Sequence, residues 1–275
     1  SAGTFTSNQT LTIAGSGGTL CVEGVSDSGA TFSADLENGL RDRNCAGIQA
    51  GALVTDGLIA YLDAADPTSY PGSGSTWTDI SGANGTSGSL VGGVSHVDSH
   101  GGAFNFNGVD SRIEMDTFAN PYTETVIIWA SSDTPTWNKT GWISSSRVEN
   151  GHIIHPKVGQ RKVQTLFSDA AGKYTYVGSV SPGDITIPHM YAITTNGSDR
   201  HRTYLDGVLR NTSSSVIQRT QSPSPQGWRV GQDHTYAAPS RVGDGNVYLI
   251  LRYDRGLTPE EVAQVFEATR DRFGV

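Results

Sequence analysis

Asp206-Gly207 sits between two short runs, His201–Leu205 and Val208–Arg210, that read as the arms of a hairpin. A two-residue Asp-Gly connection takes positive φ at both positions, and its twist matches a tight antiparallel hairpin. Short strand-like runs recur along the chain. Thr4–Ile13 and Ala103–Gly108 alternate, as does the final run Val247–Tyr253. Lys162–Phe167 and Lys173–Val177 give further short strands, and Leu53–Leu62 starts another. Glu124–Ala130 is almost wholly apolar, the mark of a central strand covered on both faces. Gly15–Gly18 and Pro67–Gly74 are turn clusters between such runs. Many short strands at this spacing predict an all-β chain, an antiparallel two-sheet jelly-roll sandwich.

Composition agrees. Of 275 residues, 34 are glycine, and only 17% are charged, which suits turns and argues against helical bundles and charged disordered tails. The net charge of −8 argues against a general nucleic-acid binder. No apolar run approaches the ~20 residues of a membrane-spanning helix, so no membrane partner is expected. No basic segment followed by an apolar one marks a signal peptide. Ser1 fits removal of an initiator Met or of an upstream piece.

The chain divides near residue 52. Residues 1–51 hold few large apolar side chains and make a poor core on their own. They are expected to form a small β-rich arm or anchoring segment, with strands at Thr4–Ile13 and Thr19–Glu23 and a helical turn within Ser33–Arg43. This segment packs on the main domain or reaches to another subunit. Cys21 and Cys45 both lie in it and leave two readings open, a disulfide or two buried thiols. Residues 52–275 form the jelly roll. One short helix closes the chain: Thr258-Pro-Glu-Glu261 is a capping box, Val262, Val265, Phe266 and Phe273 mark one face, and Gly274 ends it.

Residues 53–275 resemble the laminin-G-like, concanavalin-A-like jelly rolls, the lectin and glucanase superfamily. The resemblance rests on an ordered set of motifs. Gly57–Gly82 is similar to the opening strand and the loop ending in Trp77, Asp79 and Ser81-Gly82. Phe104–Asp110 is similar to a Phe-Asp-Gly-x-Asp strand end, and Tyr204–Leu209 to an Asp-Gly hairpin. Trp228–Gly231 and Gly245–Val262 are similar to the last strands and closing helix. Ser69-Tyr-Pro-Gly-Ser-Gly74 and Glu267–Val275 resemble versions in virion proteins of tailed phages, including those of cyanobacteria. The resemblance implies a range from glycan lectins through glycosidases to structural modules, so function must come from the site.

Related glucanases carry Glu-x-Asp-x-x-Glu on one strand. Glu114-Met-Asp116 begins that pattern, but Ala119 stands at its third carboxylate, and alternation puts Glu114 and Asp116 on the solvent face. His152 and His155, three apart on a strand, fall on opposite faces and make no two-histidine metal site. His96 and His100 lie in a Gly/Ser-rich loop. No catalytic residue is assigned, and the chain is expected to be non-enzymatic. Family members often hold calcium on the sandwich rim through hard oxygen ligands. Here Asp79, Asn84 and Asp110 would be the ligands, although Ser111 replaces a second acidic residue; Asx-turns at Asp79 and Asn84 are the other reading.

Sugars need aromatic faces and planar hydrogen-bonding groups. Tyr174 and Tyr176 share one face of a strand, and with Trp137 and Tyr236 they are the candidate glycan-stacking residues. The other reading makes the tyrosines half-buried cross-strand partners and places Trp142 and Trp228 in the core.

The expectation is a virion structural protein, a capsid decoration or tail-fibre component at the virion surface, that adheres to host-surface glycans. Residues 1–51 would bind other virion proteins, and a homo-oligomer, a trimer, is expected. The alternative is a secreted or cell-surface carbohydrate-binding module.

Overall fold

The computed structural model describes residues 24–25, 31–35, 39–41, 52–83, 86–135, 141–145, 149–157, 159–223, 225–233 and 241–275; before residue 52, and at Tyr176 and Val177, it describes backbone alone. The chain divides into two compact units, Ser1–Ala50 and Gly51–Val275.

In the first unit, β1 (Gly24–Val25), β2 (Thr31–Asp35) and β3 (Gly39–Arg41) pair antiparallel in that order. The helical turn expected within Ser33–Arg43 is therefore a hairpin, with Ser33 opposite Arg41 and Asp35 opposite Gly39. One isolated helical turn has few hydrogen bonds to offset its nucleation. The turn signal Asn38-Gly39 favours chain reversal instead. The strands expected at Thr4–Ile13 and Thr19–Glu23 lie outside the described residues, as do Cys21 and Cys45.

The second unit is a sandwich of two antiparallel sheets. The front sheet runs β17 (Val208–Val216), β16 (Arg200–Leu205), β15 (His189–Thr195), β10 (Glu124–Ser131), β19 (Asp244–Tyr253), β8 (Ala103–Asn107) and β7 (Ser95–Val97). β4 (Leu58–Asp63) pairs with the second half of β19, and β8 with its first half. The back sheet runs β14 (Tyr174–Val180), β13 (Lys162–Ser168), β12 (His152–Lys157), β11 (Ile143–Ser145), β18 (Pro225–Val230), β9 (Arg112–Ala119), β6 (Gly88–Val91) and β5 (Thr76–Trp77).

Period-2 alternation in β10 explains the layering. Val126, Ile128 and Ala130 face the sandwich interior, with Trp77, Trp142, Phe104, Phe106 and Trp228. Ile127 and Trp129 face the other way, into a second apolar layer with Val262, Val265 and Phe273. That layer lies under α1 (Pro259–Thr269), which flanks the outer face of the front sheet. Phe273 stacks on Trp129 at 4.0 Å between centroids, and Trp129 Nε1 donates to Thr269 Oγ1 at 2.9 Å. The helix begins as its sequence predicts. Thr258 Oγ1 accepts from Glu261 N, and the Glu261 carboxylate accepts from Thr258 N.

The Asp206-Gly207 turn joins β16 and β17 with φ of 50° and 72° at its two positions. The outer strands of both sheets are short or irregular. β5 has two residues and β7 three. β17 meets β16 with two register shifts, and β14 meets β13 with one.

Candidate functional site

The outer face of the back sheet collects polar side chains in register. One cross-strand row passes from Ser89 through Glu114, Arg229, Ser144, Ile153 and Leu166 to the backbone position of Tyr176. Seven strands at ~4.8 Å spacing make this row about 29 Å long. Ser144 and Ile153, in its middle, are buried, whereas Ser89 is exposed and Glu114, Arg229 and Leu166 are half-buried.

Glu114 anchors the polar end. Arg112 Nε lies 2.5 Å from Glu114 Oε1, and Arg229 Nε lies 2.7 Å from Oε2. Arg112 and Glu114 are two apart on β9, so alternation puts both on one face, and Arg229 is the residue opposite Glu114 on β18. Partial burial pushes the Glu114 carboxyl up, but the bonds from Arg229 and then Arg112 outweigh it and hold the carboxyl below its usual range. Glu114 is thus a fixed, ionised acceptor between two planar guanidinium groups. An ionised carboxylate held this way is in the wrong protonation state for a general acid. Asp116, next on the same face, is exposed.

Among the aromatic candidates, Tyr174 is half-buried on β14, and its hydroxyl donates to the Ser145 carbonyl at 3.1 Å. Tyr176 sits opposite Leu166 in the ladder, its side chain outside the description. Trp137 and Tyr236 lie outside the described residues. Trp142 and Trp228 are core residues.

Asp79 holds the turn after β5. Its Oδ1 accepts from Tyr61 N at 2.7 Å and Ser81 N at 3.0 Å, and its Oδ2 accepts from Ser81 Oγ at 2.8 Å. This is an Asx-type turn tied to β4. Asp110 lies in the β8–β9 turn, where its Oδ1 accepts from Asn107 Nδ2 at 2.9 Å. Asn84 lies outside the described residues. Among the described residues no three His, Cys, Asp or Glu side chains are grouped to hold a metal ion.

A second polar assembly lies inside the sandwich. Glu124, at the start of β10, is fully buried between Arg252 on β19 and Arg219 in the segment after β17. Arg219 Nη2 donates to Glu124 Oε2 at 3.0 Å and to the Asn150 carbonyl, and Arg252 Nη2 donates to Glu124 Oε1 and to Asn120 Oδ1. Burial pushes the Glu124 carboxyl up, but the charges of Arg252 and Arg219 hold it far below the ordinary range. His152 Nδ1 approaches Glu124 Oε1 to 3.4 Å without hydrogen-bond geometry, and burial keeps this histidine neutral. Neither assembly follows from motif spacing. A usable signal was the parity of Arg229, which sits between inward-facing Trp228 and Val230. The charged residue in an otherwise apolar strand, Arg252, was another.

The chain matches no protein-family model and no curated protein. It is similar in structure to domain 4 of AbnA, an extracellular arabinanase from Geobacillus stearothermophilus, solved in complex with arabinotriose. The TM-score is 0.59 at 14% identity, covering 76% of this chain and 97% of that domain. It is similar to the binding domain of botulinum neurotoxin serotype D, with TM-score 0.60 at 13% identity, covering 78% of this chain and 53% of that one. It is also similar to Trypanosoma rangeli sialidase in complex with sialic acid, with TM-score 0.59 at 18% identity, covering 81% of this chain and 34% of that one. The chain thus spans about half of the neurotoxin domain and a third of the sialidase. At these identities the likeness establishes the β-sandwich fold.

Proposed function

We propose that this chain is a non-enzymatic carbohydrate-binding β-sandwich displayed on the surface of a tailed-phage particle, as a capsid decoration or tail-fibre component. Residues 1–51 attach it to other virion proteins, and the sandwich adheres to host-surface glycans. The observation that carries the carbohydrate reading is the match over nearly the whole of AbnA domain 4, a domain solved with an arabinose trisaccharide. The Arg112–Glu114–Arg229 group supports it with a fixed array of planar hydrogen-bonding groups on an accessible face. The ionised state of Glu114 argues against this residue serving as a general acid. The particle assignment rests on the resemblance of Ser69–Gly74 and Glu267–Val275 to phage virion proteins.

The test has two arms. The whole chain is run on an immobilised panel of bacterial and plant polysaccharides, with release of reducing ends assayed in parallel. Retention without release is expected, with Glu114→Gln weakening it at least tenfold. Failure to bind any glycan overturns the adhesive reading, and released reducing ends overturn the non-enzymatic one. Immunogold labelling of native source material tests the location. Gold on phage heads or tails is expected, and gold on cell surfaces moves the protein to a secreted or cell-surface module.

A further inference from the structure

The Glu124 assembly does not balance its own charge. Two guanidiniums share one carboxylate, and among the described residues neither Arg219 nor Arg252 has another acidic partner. His152 and His201, neutral through burial, contribute no compensating charge. Among the described residues, one net positive charge is therefore buried inside the sandwich, a costly arrangement unless it is paired.

The hydrogen-bond inventory is lopsided in the same sense. Nε and Nη1 of both Arg219 and Arg252, Nδ2 of Asn120 and Nε1 of Trp228 are buried without an acceptor among the described residues. All six atoms are donors, and the neutral His152 ring beside them, whose two nitrogens are also unpartnered, adds one donor and one acceptor, so donors stay in excess. They belong to one neighbourhood. Both Nη2 atoms grip the same carboxylate, Asn120 Oδ1 is bonded to Arg252, and the Arg252 guanidinium lies 5.1 Å from the Trp228 ring. Phe118, 4.1 Å from the Arg252 guanidinium, and Phe167, 4.8 Å from that of Arg219, wall the group with aromatic faces. A water molecule accepts from such donors but brings two hydrogens that themselves need acceptors. A small anion brings acceptors only, and one negative charge makes the assembly neutral.

We propose that this interior end of the sandwich is a binding site for a small monovalent inorganic anion of the chloride class, held by Arg219 and Arg252 opposite Glu124. The anion acts as a structural ligand. It binds the folded chain and has no site in the unfolded one, so it raises stability with concentration.

The experiment is thermal unfolding of the full chain at pH 7.5 in sodium chloride exchanged for sodium gluconate at constant ionic strength. Gluconate, a bulky organic anion, is the comparison for chloride. Once chloride exceeds its Kd, the midpoint is expected to rise about 3–5 °C per tenfold increase. Arg219→Gln leaves Arg252 and Glu124 balanced and is expected to abolish the chloride dependence. Because that variant removes a buried group, crystals of the unaltered chain soaked in sodium bromide provide an independent readout. An anomalous peak within hydrogen-bond distance of the Arg219 or Arg252 guanidinium is expected. A midpoint indifferent to chloride, or a bromide signal confined to the surface, overturns the proposal.

Discussion

Arg272 Nη1 lies 2.6 Å from Asp63 Oδ1, joining the last turn of the chain to the end of β4 across 209 positions. The same guanidinium donates from Nε to the His100 carbonyl at 2.6 Å and from Nη2 to the Gly102 carbonyl at 2.5 Å. One side chain thereby fixes the helix end to the loop between β7 and β8. Arg272→Ala is expected to lower stability by about 2 kcal/mol, since its bonds are charge-assisted but partly exposed. Urea denaturation measures it. Arg272→Lys keeps the charge but not the fork and should recover less than half of the loss.

Glu124→Gln removes the carboxylate that two buried guanidiniums share. It is expected to destabilise the sandwich by about 3–5 kcal/mol, the range for breaking a buried pair from one side. Chemical denaturation of the variant beside Asp116→Asn, an exposed carboxylate change, separates the buried effect from loss of negative charge in general.

Acid should unfold the chain from near neutrality downward. Burial, then the charge of Arg219, pulls His201 down to about 3, and burial lowers His152 too. In the unfolded chain both titrate near pH 6.5, so as pH falls the unfolded state takes up protons that the folded state refuses. The stability these neutral rings contribute is complete above about pH 6.5 and is lost on acidification at up to about 1.4 kcal/mol per pH unit for each ring. His201→Phe, which keeps the ring contact with Phe167, should flatten the dependence between about pH 6 and 4.5. An unchanged slope in urea midpoints over that window would assign the acid sensitivity elsewhere.

Gly207 has φ of 72°, and a Cβ built there would stand 2.9 Å from Phe266 Cβ. Gly207→Ala combines backbone strain with a clash against α1 and is expected to cost about 1–3 kcal/mol. Gly183→Ala is the control, because its φ is also positive at 88° but nothing lies within 4 Å of the added methyl. It isolates the backbone contribution in the same thermal melt.

What the sequence made legible was local. Asp206-Gly207 specifies its own turn, Thr258 and Glu261 cap their own helix, and the apolar run of β10 declares burial on both faces. Parity also put Glu114 and Asp116 on the outer face. What stayed hidden was set by pairing between distant strands. Nothing near Glu124 in sequence announces Arg219 or Arg252, which lie 95 and 128 positions away. Glu114 meets Arg229 across 115 positions because β9 and β18 happen to be neighbours. In Ser33–Arg43, Ala34, Leu36 and Leu40 are spaced so loosely that they satisfy a helical turn and a hairpin about equally well. Asp79 is readable as an Asx-turn or a metal ligand from spacing, and the bonds from Tyr61 N and Ser81 N to its carboxylate form the turn.

The irregular outer strands have a consequence for crowding. A straight, open ladder lets each copy template the next, and packed arrays of such domains drift toward fibrils. Here β5 and β7 are too short to recruit a foreign strand, while the register shifts bend β14 and β17 away from a straight template. Among the described residues, β5, β7, β14 and β17 therefore offer a neighbouring copy no long, straight ladder to extend.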